Sequence, residues 1–339
     1  MMLINKKTIT LGLIIGGIVF LLFLFYGLND SKKYSFSFDN NPNALSKEEL
    51  SKSENSPINI LFLGIVGEGS RGAFLTDTIF VTSIIPSKPS KKQISMISIP
   101  RDLWVKIPNG STSVKINSLY ELENTGKNFS KAVSYELIKE KIEDITGLSI
   151  NYIVILDLKG FEKLIDALGG IDIWLEKDVI DPSLVNPHNP SEIFHLSAGW
   201  RHLDGALIIK FIRTRYAPNG DFYRMEHQQQ IIAALKDKLT KLADVWNLLS
   251  WLKIWQSLNG HVITNLDFNT IWQIFPIVKN ISSSQIQYLS ITNKPPDELL
   301  MTSTIYDNWS DKDIYILIPA KGFENYEEIN NYINEKIYE

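Results

Sequence analysis

The feature that most constrains this chain is an uncharged run of 22 residues, 8–29, near its amino end. Leu, Ile, Val, Phe and Gly dominate the run, and as an α-helix it would be about 33 Å long, enough to span the ~30 Å hydrocarbon core of a bilayer. It exceeds the apolar region of a signal peptide, and no Ala-x-Ala-like cleavage site follows it. The run therefore predicts a retained, single-pass transmembrane signal anchor.

Paired lysines flank the run on both sides, at residues 6–7 and 32–33, so charge alone does not set its orientation. A short leader, residues 1–7, favours a cytoplasmic amino end and an extracytoplasmic location for the remainder. Residues 30–57 are rich in Ser, Asn, Lys and Glu and predict a flexible tether. We expect one catalytic or binding domain over residues 58–339.

Three short apolar runs open this domain and predict β-strands at residues 58–63, 77–85 and 93–99. With 44% hydrophobic residues, the chain has ample material for a packed core. The early part of the domain is therefore expected to be a sheet.

Later segments alternate between strand and helix. Residues 130–146 place apolar side chains at helical spacing. Predicted strands at 152–156 and 171–175 flank a predicted helix at 159–168, which forms a β-α-β unit and indicates an α/β layer fold. The three prolines of residues 178–190 predict an irregular loop.

Composition excludes several classes of site. The absence of cysteine removes disulfides, thiol nucleophiles and thiolate zinc sites, and the five histidines show no H-E-x-x-H or similar spacing. A net charge of −4 gives no indication of nucleic-acid binding. A G-x-G-x-x-G match at residues 67–72 leads into a strand rather than a helix, so we reject a dinucleotide-binding loop.

Arginine is used sparingly, at only six of the 34 basic positions. In a chain this rich in lysine, arginine indicates sites that need its planar, bidentate guanidinium, as phosphate groups do. Pro100 lacks an N–H and cannot continue a central ladder, so Arg101 and Asp102 lie just beyond a strand end, where ligands of open α/β sheets collect. A solvated arginine beside a turn-capping aspartate is the alternative interpretation.

A second group of arginines follows two predicted helix ends. Asp204 can cap a helix that leads to Arg213 and Arg215. Two residues apart on a helix, these side chains point in different directions, so both reach one ligand only if the helix ends there.

Asp221 can cap a further helix, over residues 222–242, which places Asp221, Arg224 and Gln228 on one face of its first turns. The positive end of the helix dipole lies there too and favours an anion. A solvated helix start with an internal Asp–Arg salt bridge explains the spacing equally well.

Eight motifs, in their order and spacing, resemble the LytR-CpsA-Psr family of cell-envelope glycopolymer transferases. They are INILFLG at 58–64, TDTI at 76–79, SIPRD at 98–102, KIN at 115–117, GF at 160–161 through DALGGID at 166–172, LDG at 203–205, RTR at 213–215, and DFYR at 221–224 with Gln228. Together they cover about residues 58–234, and YILIP at 315–319 resembles the closing strand of the family.

The resemblance implies a membrane-anchored phosphotransferase of bacterial envelope assembly. Members of the family move a glycopolymer, such as teichoic acid or capsular polysaccharide, from undecaprenyl diphosphate to peptidoglycan through a phosphodiester bond. The implied fold is an α-β-α sandwich on a mixed central sheet, with an apolar pocket for the polyprenyl tail. The expected partners are the lipid-linked glycopolymer, the peptidoglycan acceptor and the membrane, and no nucleic acid.

By motif match, the substrate diphosphate would be bound by four arginines and one amide side chain, Arg101, Arg213, Arg215, Arg224 and Gln228. Asp77 and Asp102 would hold Mg²⁺ or another divalent cation, or one of them would help to deprotonate the acceptor hydroxyl. Asp221 would orient Arg215 and Arg224. Catalysis would depend on five of these residues, because phosphoryl transfer is mostly positioning and electrostatic stabilisation. They are Asp77, Arg101, Asp102, Arg213 and Arg215.

Two positions depart from the family pattern, because Leu75 and His227 stand where members often have arginine. The departures bear on substrate affinity more than on reaction class. Two other functions fit the same motifs. One is a metal-dependent polyprenyl-diphosphate hydrolase, in which water replaces the sugar hydroxyl. The other is a non-catalytic envelope protein that binds polyprenyl lipid as an attenuator or scaffold.

Overall fold

The computed structural model describes residues 57–67, 69–70, 72–85, 94–125, 134–186, 189–214, 227, 230–231, 234–235, 238, 253–254, 256–266, 270, 274, 286–307 and 311–338. These residues belong to two compact units. We call them the sheet unit, with described residues from 57–157, 262–266 and 287–338, and the ribbon unit, with described residues from 158–261 and 267–286. The predicted anchor and tether lie outside the described residues. Among the residues that the structure describes, no helix is long and apolar enough to cross a membrane.

In chain order the described strands are β1 (Ile58–Ile65), β2 (Thr76–Ile84), β3 (Ile94–Ser98), β4 (Trp104–Lys106), β5 (Ser113–Lys115), β6 (Tyr152–Asp157), β7 (Ile171–Leu175), β8 (Val179–Asn186), β9 (Asn189–Leu196), β10 (Gly199–Leu203), β11 (Val262–Thr264), β12 (Ile286–Ser290), β13 (Leu300–Asp307) and β14 (Lys312–Pro319). The described α-helices with defined bounds are α1 (Leu119–Asn124), α2 (Glu136–Thr146), α3 (Leu158–Ala167), α4 (Gly205–Arg213) and α5 (Glu327–Tyr338). A single 3₁₀ turn, Ile116–Ser118, links β5 to α1.

The sheet unit is built on a six-stranded mixed sheet in the order β11-β6-β1-β2-β3-β12. β1 runs parallel to β6 and antiparallel to β2, which in turn runs antiparallel to β3. Seven of the eight residues of β1 are buried, which explains its almost unbroken apolar sequence. The three opening strands predicted from the sequence are confirmed to within two residues at each end.

These strand directions bring several chain segments to one edge of the sheet. The carboxyl ends of β1, β3 and β6 lie there with the amino end of β2, since Ile65 pairs with Thr76 on one side and with Asp157 on the other. We call this the site edge. The segments that carry Asp77, Arg101 and Asp102 all lie at it.

Helix α2 is shorter than its sequence pattern predicts, beginning at Glu136 rather than at residue 130. The side-chain amide of Asn124 explains the difference, because it donates to the carbonyl of Ser134 (2.6 Å) and accepts from the Ser134 N–H (3.0 Å). Ser134 is thereby tied to α1 instead of joining α2. The helix ends where expected, at Gly147, whose φ of 69° is readily adopted by glycine.

An ion pair between Lys141 of α2 and Glu324, in the segment before α5, holds the carboxyl end of β4. The Glu324 carboxylate accepts hydrogen bonds from the Lys106 backbone N–H (2.8 Å), the Lys141 ammonium of α2 (2.8 Å) and the Tyr326 hydroxyl (2.7 Å). Burial acts to raise the pKa of Glu324, but these three hydrogen bonds outweigh it, and the pKa lies below its ordinary value. This Glu324 clamp fixes the β4–β5 ribbon, which carries Lys115 at its far end.

In the ribbon unit, α3 and α4 pack at close range through Gly205. A Cβ atom at this position would lie 2.4 Å from the carbonyl oxygen of Glu162, which leaves room only for glycine. The Gly205 N–H donates to the Asp166 carboxylate at 2.8 Å, so both residues of the LDG and DALGGID motifs serve this helix contact.

Two sequence-based predictions about this unit are wrong. β7 does not follow α3 into the central sheet as a β-α-β unit, but pairs antiparallel with β10. Its alternating buried and exposed residues indicate a strand covered on one face only. The segment 178–190, expected as an irregular loop, instead forms most of the β8–β9 hairpin.

The prolines of this hairpin explain why the loop prediction failed. Pro182 falls where the register breaks, between Asp181 and Val185, and the Asp181 carboxylate there accepts from the backbone N–H of Ser183 at 2.9 Å. A two-stranded ribbon tolerates proline wherever an N–H faces away from the partner strand.

Candidate active site

Arg101 and Asp77 meet at the site edge as an ion pair between the guanidinium Nη1 and the carboxylate Oδ1. β3 ends at Ser98, the Ile99 N–H still donates to the Ile79 carbonyl at 3.0 Å, and the chain then turns at Pro100 as predicted. Only 14% of the Arg101 side chain is exposed, against 35% of the Asp77 side chain. The solvated-arginine interpretation is therefore wrong for Arg101.

Asp102 lies beside the same guanidinium and has a second cation as its closer partner. Its Oδ2 is 3.7 Å from Arg101 Nε, and its Oδ1 is 2.5 Å from Lys115 Nζ. The Asp102 side chain is 10% exposed and that of Lys115 is 27% exposed. Two carboxylates and two cations thus alternate along the edge in the order Asp77, Arg101, Asp102, Lys115.

Lys115 is a site residue to which the sequence reasoning gave no role. The KIN motif quoted above contains it, but nothing in its spacing placed it opposite Asp102. The β4–β5 ribbon does so, because Lys115 pairs with Trp104, two residues after Asp102. Because both strands of this hairpin are only three residues long, the sequence carried no signal that could have paired Lys115 with Asp102.

Backbone hydrogen bonds hold these segments in register. The Thr76 hydroxyl donates to the Asn117 carbonyl at 3.2 Å, and the Asn117 N–H donates to the Arg101 carbonyl at 3.4 Å. The Leu317 N–H of β14 donates to the Asp102 carbonyl at 3.0 Å. The charged groups are therefore carried by a fixed framework rather than by a free loop.

The glycine loop after β1 folds back on the same edge. The Gly67 N–H donates to the Ala73 carbonyl at 2.9 Å, and a Cβ at Gly67 would lie 3.0 Å from the Cβ of Asp157, at the end of β6. Leu75 packs over Gly72, where an added Cβ would be 2.7 Å from its Cδ1. At the position where the family resemblance implies an arginine, Leu75 thus makes an apolar contact within the loop.

The donor set suits a hard cation only in company with substrate oxygens. Among the described residues no group of three or more His, Cys, Asp or Glu side chains lies together as a metal site. Asp77 and Asp102 offer carboxylate oxygens, and Mg²⁺ is commonly held by one or two carboxylates plus phosphate oxygens. Since each carboxylate here already contacts a cation, we expect this pair to bind metal only when a phosphate ligand occupies Arg101 and Lys115.

The second predicted group is described in part, within the ribbon unit. The Asp204 carboxylate accepts from the Leu207 N–H at 2.8 Å and caps α4, as predicted. Arg213 is the exposed last residue of α4, and Thr214 is already extended, with φ −60° and ψ 127°. The helix therefore ends between Arg213 and Arg215, the condition under which both could face one ligand.

The remaining predicted site residues, Arg215, Asp221, Arg224 and Gln228, lie outside the described residues. Their neighbour His227 is described and is buried, with its ring stacked on Phe211 at 4.0 Å between centroids. Burial lowers the pKa of His227 to about 4, against a smaller opposing effect of its contact with the Phe211 carbonyl. At neutral pH the imidazole is uncharged, so it does not supply the cation that the family resemblance implies at this position.

Comparison with known proteins agrees with the motifs. The model of the LytR_cpsA_psr family matches residues 23–324. The chain is 29% identical over 250 residues to the polyisoprenyl-teichoic acid–peptidoglycan teichoic acid transferase TagV of Bacillus subtilis, covering 73% of this chain but only 59% of TagV. It is also 29% identical over 234 residues to the transferase of the same description, TagU, of Bacillus cereus, covering 69% of this chain and 67% of TagU.

Solved structures share the fold. The crystal structure of Bacillus subtilis TagV aligns with a TM-score of 0.60 at 24% identity, covering 84% of this chain and 98% of that one. TagT bound to LI-WTA aligns with a TM-score of 0.59 at 16% identity, covering 91% and 100%. These structural similarities establish a mixed α/β fold with a central mixed sheet. Because the family model spans most of the chain and solved members share its architecture, this protein belongs to the LytR-CpsA-Psr family.

Proposed function

We propose that this protein is a membrane-anchored, extracytoplasmic phosphotransferase that moves a glycopolymer from a polyprenyl diphosphate carrier to peptidoglycan. The observation that carries the proposal is the alternation of Asp77, Arg101, Asp102 and Lys115 along one sheet edge. Such a row presents cations for a diphosphate and carboxylates for a divalent cation or a proton. The similarity to TagV and TagU, which are teichoic acid–peptidoglycan transferases, supports the same reaction class.

Two cations at the site edge suit the charge of a diphosphate. A guanidinium has five N–H donors in a fixed plane and an ammonium has three. Each cation therefore has more donors than its contact with one carboxylate uses, and the others can bind phosphate oxygens. An incoming diphosphate would compete with Asp77 and Asp102 for Arg101 and Lys115. Arg213, Arg215, Arg224 and Gln228 are proposed to complete the anion site, with Asp221 orienting the arginines.

The proposed transfer exchanges one phosphorus–oxygen bond for another. The acceptor hydroxyl oxygen on peptidoglycan attacks the phosphorus that bears the glycopolymer, and its proton passes to a carboxylate, Asp77 or Asp102. The bond from that phosphorus to the bridging oxygen breaks, and polyprenyl phosphate leaves. The glycopolymer ends in a phosphodiester on peptidoglycan, so phosphorus is conserved between the two products.

In the alternative role, Asp77 and Asp102 would both be protein ligands of Mg²⁺. A divalent cation supplies charge neutralisation at the phosphoryl group when it is bound. Asp77 and Asp102 would be free to hold it once a bound diphosphate had taken over the contacts of Arg101 and Lys115.

The location of the enzyme rests on the sequence. Residues 8–29 are proposed as the membrane anchor, with residues 1–7 in the cytoplasm and residues 58–339 outside it. The α-β-α sandwich and the pocket for the polyprenyl tail likewise stay predictions from the family resemblance.

A reconstituted transfer assay tests the proposal. Purified protein, a polyprenyl diphosphate-linked glycopolymer with labelled sugar, and peptidoglycan are incubated with Mg²⁺, and label attached to peptidoglycan is counted. Arg101→Ala and Arg213→Ala should each abolish attachment while the variants keep the circular dichroism spectrum of the wild type. Lys321→Ala, at an exposed lysine, should transfer normally. Attachment that survives either arginine substitution would contradict the proposed site.

A further inference from the structure

The β7–β10 ribbon exposes two adjacent tryptophans. Trp174 and Trp200 are direct cross-strand partners, with ring centroids 5.8 Å apart and an interplanar angle of 65°. Trp174 is 54% exposed and Trp200 is 66% exposed. Single exposed apolar side chains are common on proteins, but two contiguous exposed indoles are a large apolar surface that the ribbon leaves in water.

The ribbon holds these rings in a fixed arrangement. Its other face is anchored by the buried side chains of Ile171, Ile173 and Leu175. The Arg201 guanidinium donates to the carbonyl oxygens of Ser197, Ala198 and Trp200, at 2.7, 2.7 and 2.8 Å. These bonds fix the backbone beside Trp200, so little backbone ordering is left to occur when a ligand binds.

A polar and acidic rim borders the indoles on the same face. Two cross-strand pairs further along, at the next pair on this face, Asp172 Oδ1 and His202 Nδ1 lie 2.7 Å apart, and both side chains are exposed. Gly170 makes room for this imidazole, since a Cβ there would be 2.4 Å from His202 Nε2. The exposed Glu176 directly follows β7, two residues after Trp174 in the chain.

We propose that Trp174 and Trp200, with Asp172 and His202, form a platform that binds an uncharged pyranose chain. The axial C–H groups of a pyranose make an apolar face that stacks on indole, while its equatorial hydroxyl and N-acetyl groups bond to a polar rim. The carboxylates of Asp172 and Glu176 disfavour an anionic lipid surface or a phosphate-rich polymer. The platform deepens the proposed function, on which it rests for the presence of a glycan strand near the enzyme.

Isothermal titration of the full-length protein with chitohexaose, a β-1,4-linked N-acetylglucosamine hexamer, tests this. Wild-type protein should bind saturably, and Trp174→Ala and Trp200→Ala should each weaken binding at least tenfold. Trp174→Phe, which keeps a ring, should lose less affinity than Trp174→Ala. Tyr306→Ala removes an equally exposed aromatic side chain from the sheet unit, and it should bind within twofold of wild type.

Three results would overturn the platform. They are the absence of saturable binding, unchanged affinity in the Trp174→Ala, Trp200→Ala double variant, and Trp-dependent binding to phosphatidylglycerol vesicles in place of chitohexaose. Arg101→Ala separates this proposal from the transferase, because it should abolish transfer and leave chitohexaose binding intact. Trp-dependent binding by a protein without transferase activity would refute the proposed function and leave the platform standing.

Discussion

Lys115 and Asp102 should be strongly coupled in folding stability, although only one of them was expected at the site. Lys115→Met removes the cation 2.5 Å from Asp102 Oδ1 and leaves this carboxylate with Arg101 Nε at 3.7 Å. At an effective dielectric constant of about 20, the corresponding attractions are about 7 and about 4 kcal/mol before desolvation is subtracted. Lys115→Met therefore removes most, but not all, of the electrostatic attraction that compensates for burying Asp102.

From this geometry we expect Lys115→Met to lower the free energy of unfolding by about 2 to 3 kcal/mol. A buried charge left wholly without a partner costs about 3 to 5 kcal/mol, and the remaining Arg101 contact places Lys115→Met below that range. Asp102→Asn should cost a similar amount, because it leaves Lys115 without its carboxylate. The double variant should be no worse than either single one, which corresponds to a coupling of about 2 to 3 kcal/mol.

Urea denaturation followed by circular dichroism measures these differences. Lys106→Met is the matched control, because this lysine lies on the same β4–β5 ribbon with an exposed side chain and should change stability by less than about 0.5 kcal/mol. Additive effects of Lys115→Met and Asp102→Asn, to within about 0.5 kcal/mol, would refute the charge row as described.

Three further predictions concern the framework, each measured by urea denaturation. The pKa of Glu324 lies below its ordinary value in the folded state because the hydrogen bond from Lys141 and two others outweigh desolvation. The contribution of Glu324 to folding stability should therefore be present above about pH 4.5 and be lost as pH falls further. Glu324→Gln should remove this loss of stability at acid pH, and an unchanged loss would contradict the prediction. His227 has a folded pKa of about 4 against about 6.5 unfolded, so stability should be full above pH 6.5 and fall by up to about 3 kcal/mol towards pH 4, whereas His227→Phe should flatten this slope. Gly205→Ala should cost at least about 2 kcal/mol through the 2.4 Å approach to the Glu162 carbonyl, and a cost under 0.5 kcal/mol would show that α3 and α4 separate easily.

The opening strands could be predicted because the local sequence alone indicates that they are buried. β1, β2 and β3 are apolar runs of strand length, and Pro100 marks the end of the last. The cap at Asp204 and the stop at Gly147 were equally local signals, each confirmed by a hydrogen bond or a positive φ. Local chemistry of this kind needs no knowledge of distant contacts.

Tertiary pairing could not be predicted in the same way. β7 has the length and composition of a sheet strand, and only its partner β10 decides which sheet it joins. The start of α2 depends on Asn124, ten residues before Ser134. The contact of Lys115 with Asp102 depends on a hairpin of two three-residue strands too short to recognise by pattern.

The residues of the candidate site could be predicted from local sequence, but their contacts could not. Arg101 and Asp102 were selected from the strand end at Pro100 and Asp77 from a family motif, and the structure brings the three together at one edge with contacts that the sequence did not specify. The sequence also indicated His227 as a titratable substitute for arginine, and only its burial against Phe211 shows that it is uncharged at neutral pH.

The most direct test of the central claim is the product balance of the reaction. In a reconstituted assay with doubly labelled donor, polyprenyl phosphate released and glycopolymer attached to peptidoglycan are counted in the same sample. The account predicts one phosphodiester-linked glycopolymer for each polyprenyl phosphate, with both products lost in Arg101→Ala. Release of polyprenyl phosphate at the same rate without peptidoglycan would identify a hydrolase, and wild-type protein that binds the donor without forming either product would contradict an enzymatic role altogether.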